Sequence, residues 1–198
     1  MPQPNLTSIL DTKSNSDHRL IRDLPALERV VARLKDQGKK IVLTQGVWDL
    51  IHEGHARYLE AAKSYGDILV VGLDSDALTR ARKGPSRPVV PERERIQMLT
   101  HLRHVDIVTV RDLDHDIGHL VRLVRPHVLV TSSSTADFKA DLKTGTYKKF
   151  CDKIVTLPPQ ATTHTSARIR TLTIEGAEKL ADEVAALTRD FIKRIRTV

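Results

Sequence analysis

Cysteine is almost absent from this chain. Cys151 is the single one; it cannot close an internal disulfide and offers no thiolate cluster for a metal, which fits a reducing compartment. Aromatic residues are scarce too, at 4% of 198 residues. The core must therefore be built mainly from Val, Leu, Ile and Ala, and no rings interleave the basic residues to stack on nucleic-acid bases. No apolar run approaches the about 18 residues that a membrane-spanning helix needs. The polar start MPQPNLTSIL lacks the basic-then-apolar order of a secretion signal. These absences point to a cytoplasmic protein with neither a membrane nor a nucleic acid as its partner. There is no internal repeat.

What is present is positive charge. The net charge is +7 and the calculated pI is 9.7, which suits an anionic partner. Arg80, Arg82, Lys83, Arg87, Arg93 and Arg95 crowd into one short region. A solvated charged face is the plain alternative for such a run, but a phosphate-rich small substrate accounts for it better.

Hydrophobic periodicity divides the chain. Residues 1–22 are polar and mixed, and read as an irregular arm. LPALERVVARLKDQGKK carries Leu24, Leu27, Val30, Val31 and Leu34 at helical spacing and stops at Gly38. KIVLTQG is the first strand, with an apolar run that implies burial on both faces. A helix follows in HEGHARYLEAAKSYG and a strand in DILVVGLDSD. Next come a basic loop in RARKGPSRPVVP, a helix in ERERIQMLTHLRH and a strand in VDIVTV. HDIGHLVRLVR is helical, HVLVTS and KIVTL are strands, and an irregular polar stretch separates those two. The alternation predicts a Rossmann-like α/β domain, residues 23–172: a doubly wound parallel sheet with helices on both faces. Residues 173–198 form a basic amphipathic helix packed on that domain or on a twin subunit in a homodimer.

GVWDLIHEGH, residues 46–55, lies just past the first strand, where open α/β sheets bind ligands. His52 and His55 project from the same side of a first helical turn. There they stand beside unpaired backbone N–H groups and the positive end of the helix dipole, a ready anion site. Two imidazole donors can follow the charge that develops on a phosphorus during transfer. Gly46 permits close approach of a ligand, and Gly54 keeps the turn between the histidines slim. Zinc is disfavoured, because no third His or Cys ligand lies at a familiar spacing; no metal site formed by the chain is expected. The bland alternative is a pair of polar residues at a helix start.

The stretch resembles the G-x-F-D-x-x-H-x-G-H signature of the nucleotidyltransferase superfamily that shares the class I aminoacyl-tRNA synthetase fold, with Trp48 in place of phenylalanine. KGPSRPVVPERERIQMLTHLRHVD resembles the central segment of that superfamily, and HTSARIR its late S-T-S-x-I stretch. The chain is most similar to the adenylyltransferases of ADP-heptose synthesis and to glycerol-3-phosphate cytidylyltransferases. The resemblance runs over residues 24–172 and implies attack by a phosphorylated small sugar or polyol on the α-phosphorus of ATP or CTP, with release of pyrophosphate. It implies catalytic roles for His52, His55 and Lys83, with Arg82 as a second phosphate clamp. Nucleotide contacts are implied for Gln45, Gly46, Val47, Trp48, Asp49, Gly54, Asp74, Arg87 and Arg95, and late in the chain for Thr163, Thr165, Ser166 and Ile169. A magnesium ion is expected to arrive with the nucleotide.

The likeness fails at the acceptor end. The heptose enzymes carry K-G-x-D-Y and the glycerol enzymes G-D-D-W where this chain has Thr131 followed by Ser132, Ser133, Ser134 and Thr135. Thr163 replaces a glycine. The serine-rich segment is the candidate acceptor wall. The departures leave open a second reading, a catalytically inactive nucleotide-binding regulatory or interaction protein on the same fold.

Overall fold

The computed structural model describes residues 11, 16–133, 145–161 and 165–196, without the side chains of 16, 165–168 and 190–196. The chain divides into two compact units between Ala161 and Thr162. In the first unit the elements are α1 (Ser16–Arg19), α2 (Leu24–Asp36), β1 (Ile41–Gly46), α3 (Glu53–Lys63), β2 (Ile68–Asp74) and α4 (Asp76–Lys83). Then follow α5 (Glu92–His101), β3 (Ile107–Arg111), α6 (His119–Val124), β4 (Val128–Ser132) and β5 (Lys153–Leu157). The second unit is α7 (Thr165–Arg196), one unbroken helix across the boundary expected at residue 172. Its Leu180, Val184 and Leu187 are exposed.

The five strands are all parallel, in the order β3-β2-β1-β4-β5. Each strand alternates its side chains between two helical layers. Ile41, Leu43, Val70, Ile107 and Leu129 join Leu27, Val30, Val31 and Leu34 of α2 and Leu120 and Val121 of α6 in one cluster. Val42, Leu69, Val71, Val108 and Val130 join Tyr58, Leu59 and Ala62 of α3 and Ile96 and Leu99 of α5 in the other. Each fully buried Leu or Val contributes about 1.5–3 kcal/mol relative to its exposed state.

Two expectations shift. Leu20 bridges to Val108, the Ile21 N–H donates to Val108 O at 2.9 Å, and Ile21 is buried. Two apolar residues that a polar neighbourhood assigned to the arm thus edge the sheet. Arg80, Arg82 and Lys83 are helical and not loop: the Ser75 hydroxyl caps α4 by accepting from Leu78 N at 3.0 Å, and Leu78 and Thr79 anchor it in the interior. The loop begins only at Gly84, whose φ of 95° ends the helix.

The sheet opens where the chain reverses its order of strand addition. β1 pairs with β2 all the way to Gly46↔Leu73, but its described pairing with β4 is Val42↔Val128 and Leu43↔Leu129. Beyond Leu43 the carboxyl ends of β1 and β4 part. That split is the switch point at which α/β sheets place ligands.

Candidate active site

The turn after β1 is held in an unusual shape. Trp48 and Leu50 both have positive φ, 55° and 46°, a region costly for side chains of this size. Burial holds the turn there: Val47, Trp48 and Asp49 are all buried. The indole Nε1 donates to Gly72 O at 3.1 Å, and its ring meets His55 edge-on at 5.7 Å and Tyr58 at 5.9 Å. The Tyr58 hydroxyl shares a hydrogen bond with Thr44 Oγ1 at 2.9 Å, and burial raises its pKa beyond the usual phenol range. Trp48 thus positions His55 from below, as an aromatic plug.

His52 is the N-cap of α3, and the two histidines cap the helix reciprocally. Gly54 N donates to His52 Nδ1 at 3.1 Å, and His52 N donates weakly to His55 Nδ1 at 3.4 Å. Because both Nδ1 atoms accept, each neutral ring carries its proton on Nε2. The rings lie 4.2 Å apart between centroids. The result is a pair of Nε2–H donors at the positive end of a helix. Gly54 is required by space: a Cβ there would stand 2.9 Å from His52 Cε1 and 2.9 Å from Ala161 Cβ. Gly46 is not. A Cβ would meet the Trp48 ring at an ordinary 3.5 Å, so internal packing leaves room there.

Asp49 orients a loop. It accepts from Arg87 Nε at 2.9 Å, Val89 N at 3.0 Å and Val90 N at 2.9 Å. The Arg87 segment is thereby tied to the histidine turn. Lys83, on the last turn of α4, keeps company with Arg87 and Arg82. Desolvation, then the charges of Arg87 and Arg82, pull its ammonium below the ordinary lysine value. Among the described residues it forms no ion pair. A cation made uncomfortable by neighbouring cations is one that an incoming phosphate relieves.

Asp74 and Arg95, expected at the nucleotide by resemblance, are built into the frame of the site. Both are fully buried. Arg95 donates to the carbonyls of Val47, Asp74 and Val90 and to Asp76 Oδ1 at 2.6 Å. It ties together the ends of β1 and β2, the loop and α4. Asp74 accepts from Arg111 at 2.7 and 3.0 Å and from Arg82 at 2.5 Å. Desolvation lowers the Arg82 pKa, Arg111 adds to the effect and Asp74 opposes it. Arg111 escaped the sequence reading because it ends an apolar strand with no motif around it.

Gln45, next to the last residue of β1, has its amide fixed, Nε2 donating to Ile117 O at 2.6 Å, while its buried Oε1 has no partner among the described residues. An orphan acceptor at a strand end is a natural place for a ligand donor. Ser132 ends β4 and Ser133 follows it, Ser133 N donating to Leu157 O at 2.9 Å. Ser134, Thr135 and Thr163 lie outside the described residues. Thr165, Ser166 and Ile169 fall in the first turns of α7, within the second unit. The sequence reading also passed over His115 and His119, stacked at 4.2 Å beyond the end of β3. Burial, with His115 and Arg122 nearby, lowers the His119 pKa. Their spacing of four in the sequence was the signal available.

A cytidylyltransferase-like family model matches residues 43–172. The bifunctional protein HldE of Geobacter metallireducens is 45% identical over 117 residues, 59% of this chain and 24% of that protein. HldE of Aliarcobacter butzleri is 42% identical over 118 residues, again 24% of its length. The chain therefore spans about a quarter of these relatives. The crystal structure of the lipopolysaccharide core biosynthesis protein from Thermoplasma volcanium superposes with a TM-score of 0.51 at 26% identity, covering 62% of this chain and 97% of that one. Pantoate-beta-alanine ligase from Francisella tularensis shares the fold alone: its TM-score is 0.54 at 16% identity, covering 74% of this chain and 68% of the ligase. With the histidine turn, the split parallel sheet and a match over most of its length, the chain belongs to the cytidylyltransferase-like family.

Proposed function

We propose that the chain transfers a nucleoside monophosphate from ATP or CTP to a phosphorylated small sugar or polyol. An oxygen of the acceptor phosphate bonds to the α-phosphorus, the bond from that phosphorus to the bridging oxygen breaks, and pyrophosphate leaves. The observation that carries this reading is the reciprocal cap of His52 and His55, which puts the proton of each neutral ring on Nε2 at a helix N-terminus. Such a reaction asks the protein for positioning and charge neutralisation, with little covalent work.

His52 and His55 would hold the α- and β-phosphates, and Lys83 would meet the outer ones as a flexible point charge. Magnesium fits as a passenger of the nucleotide. The nearby carboxylates Asp49 and Asp74 are spent on Arg87, Arg82, Arg111 and backbone N–H groups, and no group of three or more potential ligands occurs among the described residues. When bound, the ion would neutralise phosphate charge while held by nucleotide oxygens and water. The HldE relatives and the sugar-phosphate chemistry of the resemblance favour ATP as donor. The hydroxyls of Ser132 and Ser133 suit a polyol acceptor other than the usual heptose phosphate.

The test is pyrophosphate release across a panel of sugar and polyol phosphates with ATP and CTP. Turnover with at least one pair is expected. Nucleotide binding without pyrophosphate release from any pair would favour a non-catalytic role, and turnover of heptose 1-phosphate alone would show that the serine wall does not reset specificity.

A further inference from the structure

The other pole of the sheet carries a cavity of about 290 Å³ bounded by Lys35, Arg125, His127, Lys148, Lys149 and Asp152. It lies at the amino ends of β1, β4 and β5. His127 marks that place: its N–H donates to Ile41 O at 3.0 Å, and its own carbonyl accepts from Lys153 N at 3.0 Å. The five residues of β4, at about 3.3 Å each, put the cavity roughly 17 Å from Ser132.

Three features make it a receptacle. The Nδ1 of His127 accepts from Ile41 N at 2.9 Å, so a neutral ring carries its proton on Nε2 and keeps a donor on the side away from the strand. Lys35 is anchored by donating to Val124 O at 2.9 Å and Arg125 O at 2.7 Å. Burial and then the neighbouring Arg125 guanidinium lower its pKa, against the pull of Asp152. Arg125 itself has a left-handed backbone, φ 44° and ψ 60°, at the end of α6, where glycine is the usual choice. An arginine placed there brings a second cation toward Lys35. Lys148 and Lys149 come from a separate segment. Among the described residues, Arg125, Lys148 and Lys149 make no ion pair, and Asp152 is the single carboxylate lining the cavity.

We propose that this cavity is a second anion site, built for the phosphate group of a small molecule and separate from the candidate active site. The fixed His127 Nε2–H supplies the directional donor and the four cations supply the field. An anion seated there removes the repulsion between Lys35 and Arg125. The site does not depend on the nucleotidyl-transfer reading. Its position beyond the sheet means that it binds without competing with a nucleotide.

The experiment follows the His127 side chain in long-range proton–nitrogen spectra of the full chain during titration with inorganic phosphate, against chloride at equal ionic strength. A saturable shift of the His127 Nε2 resonance with phosphate alone is expected. Arg125→Gly suits the left-handed backbone, so the fold survives while the guanidinium goes; Lys148→Glu/Lys149→Glu acts on exposed side chains. Each should weaken phosphate binding tenfold or more, while His52→Ala/His55→Ala leaves this titration unchanged. A parallel titration with glycerol 2-phosphate separates the sources: tighter binding points to a phosphate ester, equal binding to free phosphate, and both support the site. Equal responses to phosphate and chloride would overturn it. So would unchanged affinity in both cavity variants, or tighter binding of a tetraglutamate peptide than of phosphate, which would mark a docking place for an acidic protein segment.

Discussion

A histidine in this turn does two jobs with one ring. Its Nδ1 accepts a backbone N–H at the start of α3, and its Nε2–H is the donor proposed for a ligand. His52→Ala and His55→Ala should therefore each slow turnover by on the order of a hundredfold or more, like loss of an oxyanion donor, with a smaller loss of stability from the cap, about 1 kcal/mol. Wild-type turnover at saturating nucleotide in both variants would make the pair structural. Gly54→Ala tests placement without deleting a donor. The new methyl must push either Ala161 or the His52 ring, and a displacement of an ångström at such a centre costs on the order of a hundredfold. The expected result is lost turnover with nucleotide binding largely kept; full activity would show that Ala161 yields instead. Lys83 has a pH signature. Its pKa is lowered by burial and by Arg87 and Arg82, so its charge fades at a lower pH than an ordinary lysine's. The alkaline limb of kcat/KM should fall below pH 10.5, the ordinary lysine value, and Lys83→Arg should move it upward, because guanidinium stays charged. An alkaline limb unmoved by that substitution would assign it to another group.

At the scale of elements, the site stands on buried ion pairs that tie strand ends to the helices after them. Arg95 joins β1, β2, α4 and the loop before α5. Arg95→Ala would leave buried carbonyls without a donor and should cost about 3–5 kcal/mol, seen as a lowered urea midpoint; a loss under about 1 kcal/mol would mean that water replaces the guanidinium. This brace marks the limit of what was legible in the sequence. The apolar periodicity of α2 and β1, and the glycine-flanked histidines, announce themselves because local spacing sets them. The roles of Arg95 and Asp74 do not. A charged residue beside a motif looks like a ligand contact, and only the fold shows the partners from other elements that it also holds. Likewise Ile21 reads as arm until the edge of β3 is there to receive it, and RARK reads as loop until Ser75 is seen capping the helix before it.

On the scale of the whole molecule, the two halves of the sheet meet at a short seam. β1 pairs with β2 from Ile41↔Ile68 to Gly46↔Leu73, and β4 pairs with β5 from Val128↔Lys153 to Ser132↔Leu157, whereas the described ladder across the seam is Val42↔Val128 and Leu43↔Leu129. Fewer main-chain bonds cross it than hold either half, so local opening at the carboxyl ends of β1 and β4 should be the lowest-energy excursion of the sheet. The candidate site straddles the same split, with the histidine turn on one side and Ser132 on the other. A nucleotide that contacts both sides binds the closed arrangement preferentially and stabilises it by mass action, by about 2.7 kcal/mol at a hundredfold excess over Kd. Hydrogen exchange read by mass spectrometry should then show slowed exchange in peptides covering 46–55 and 128–133 together when a non-hydrolysable ATP analogue is added. Adenosine, lacking the phosphates that engage His52, His55 and Lys83, should protect the two segments far less. Protection confined to 46–55 would place the nucleotide on one half of the sheet only, and the seam would then have no part in holding it.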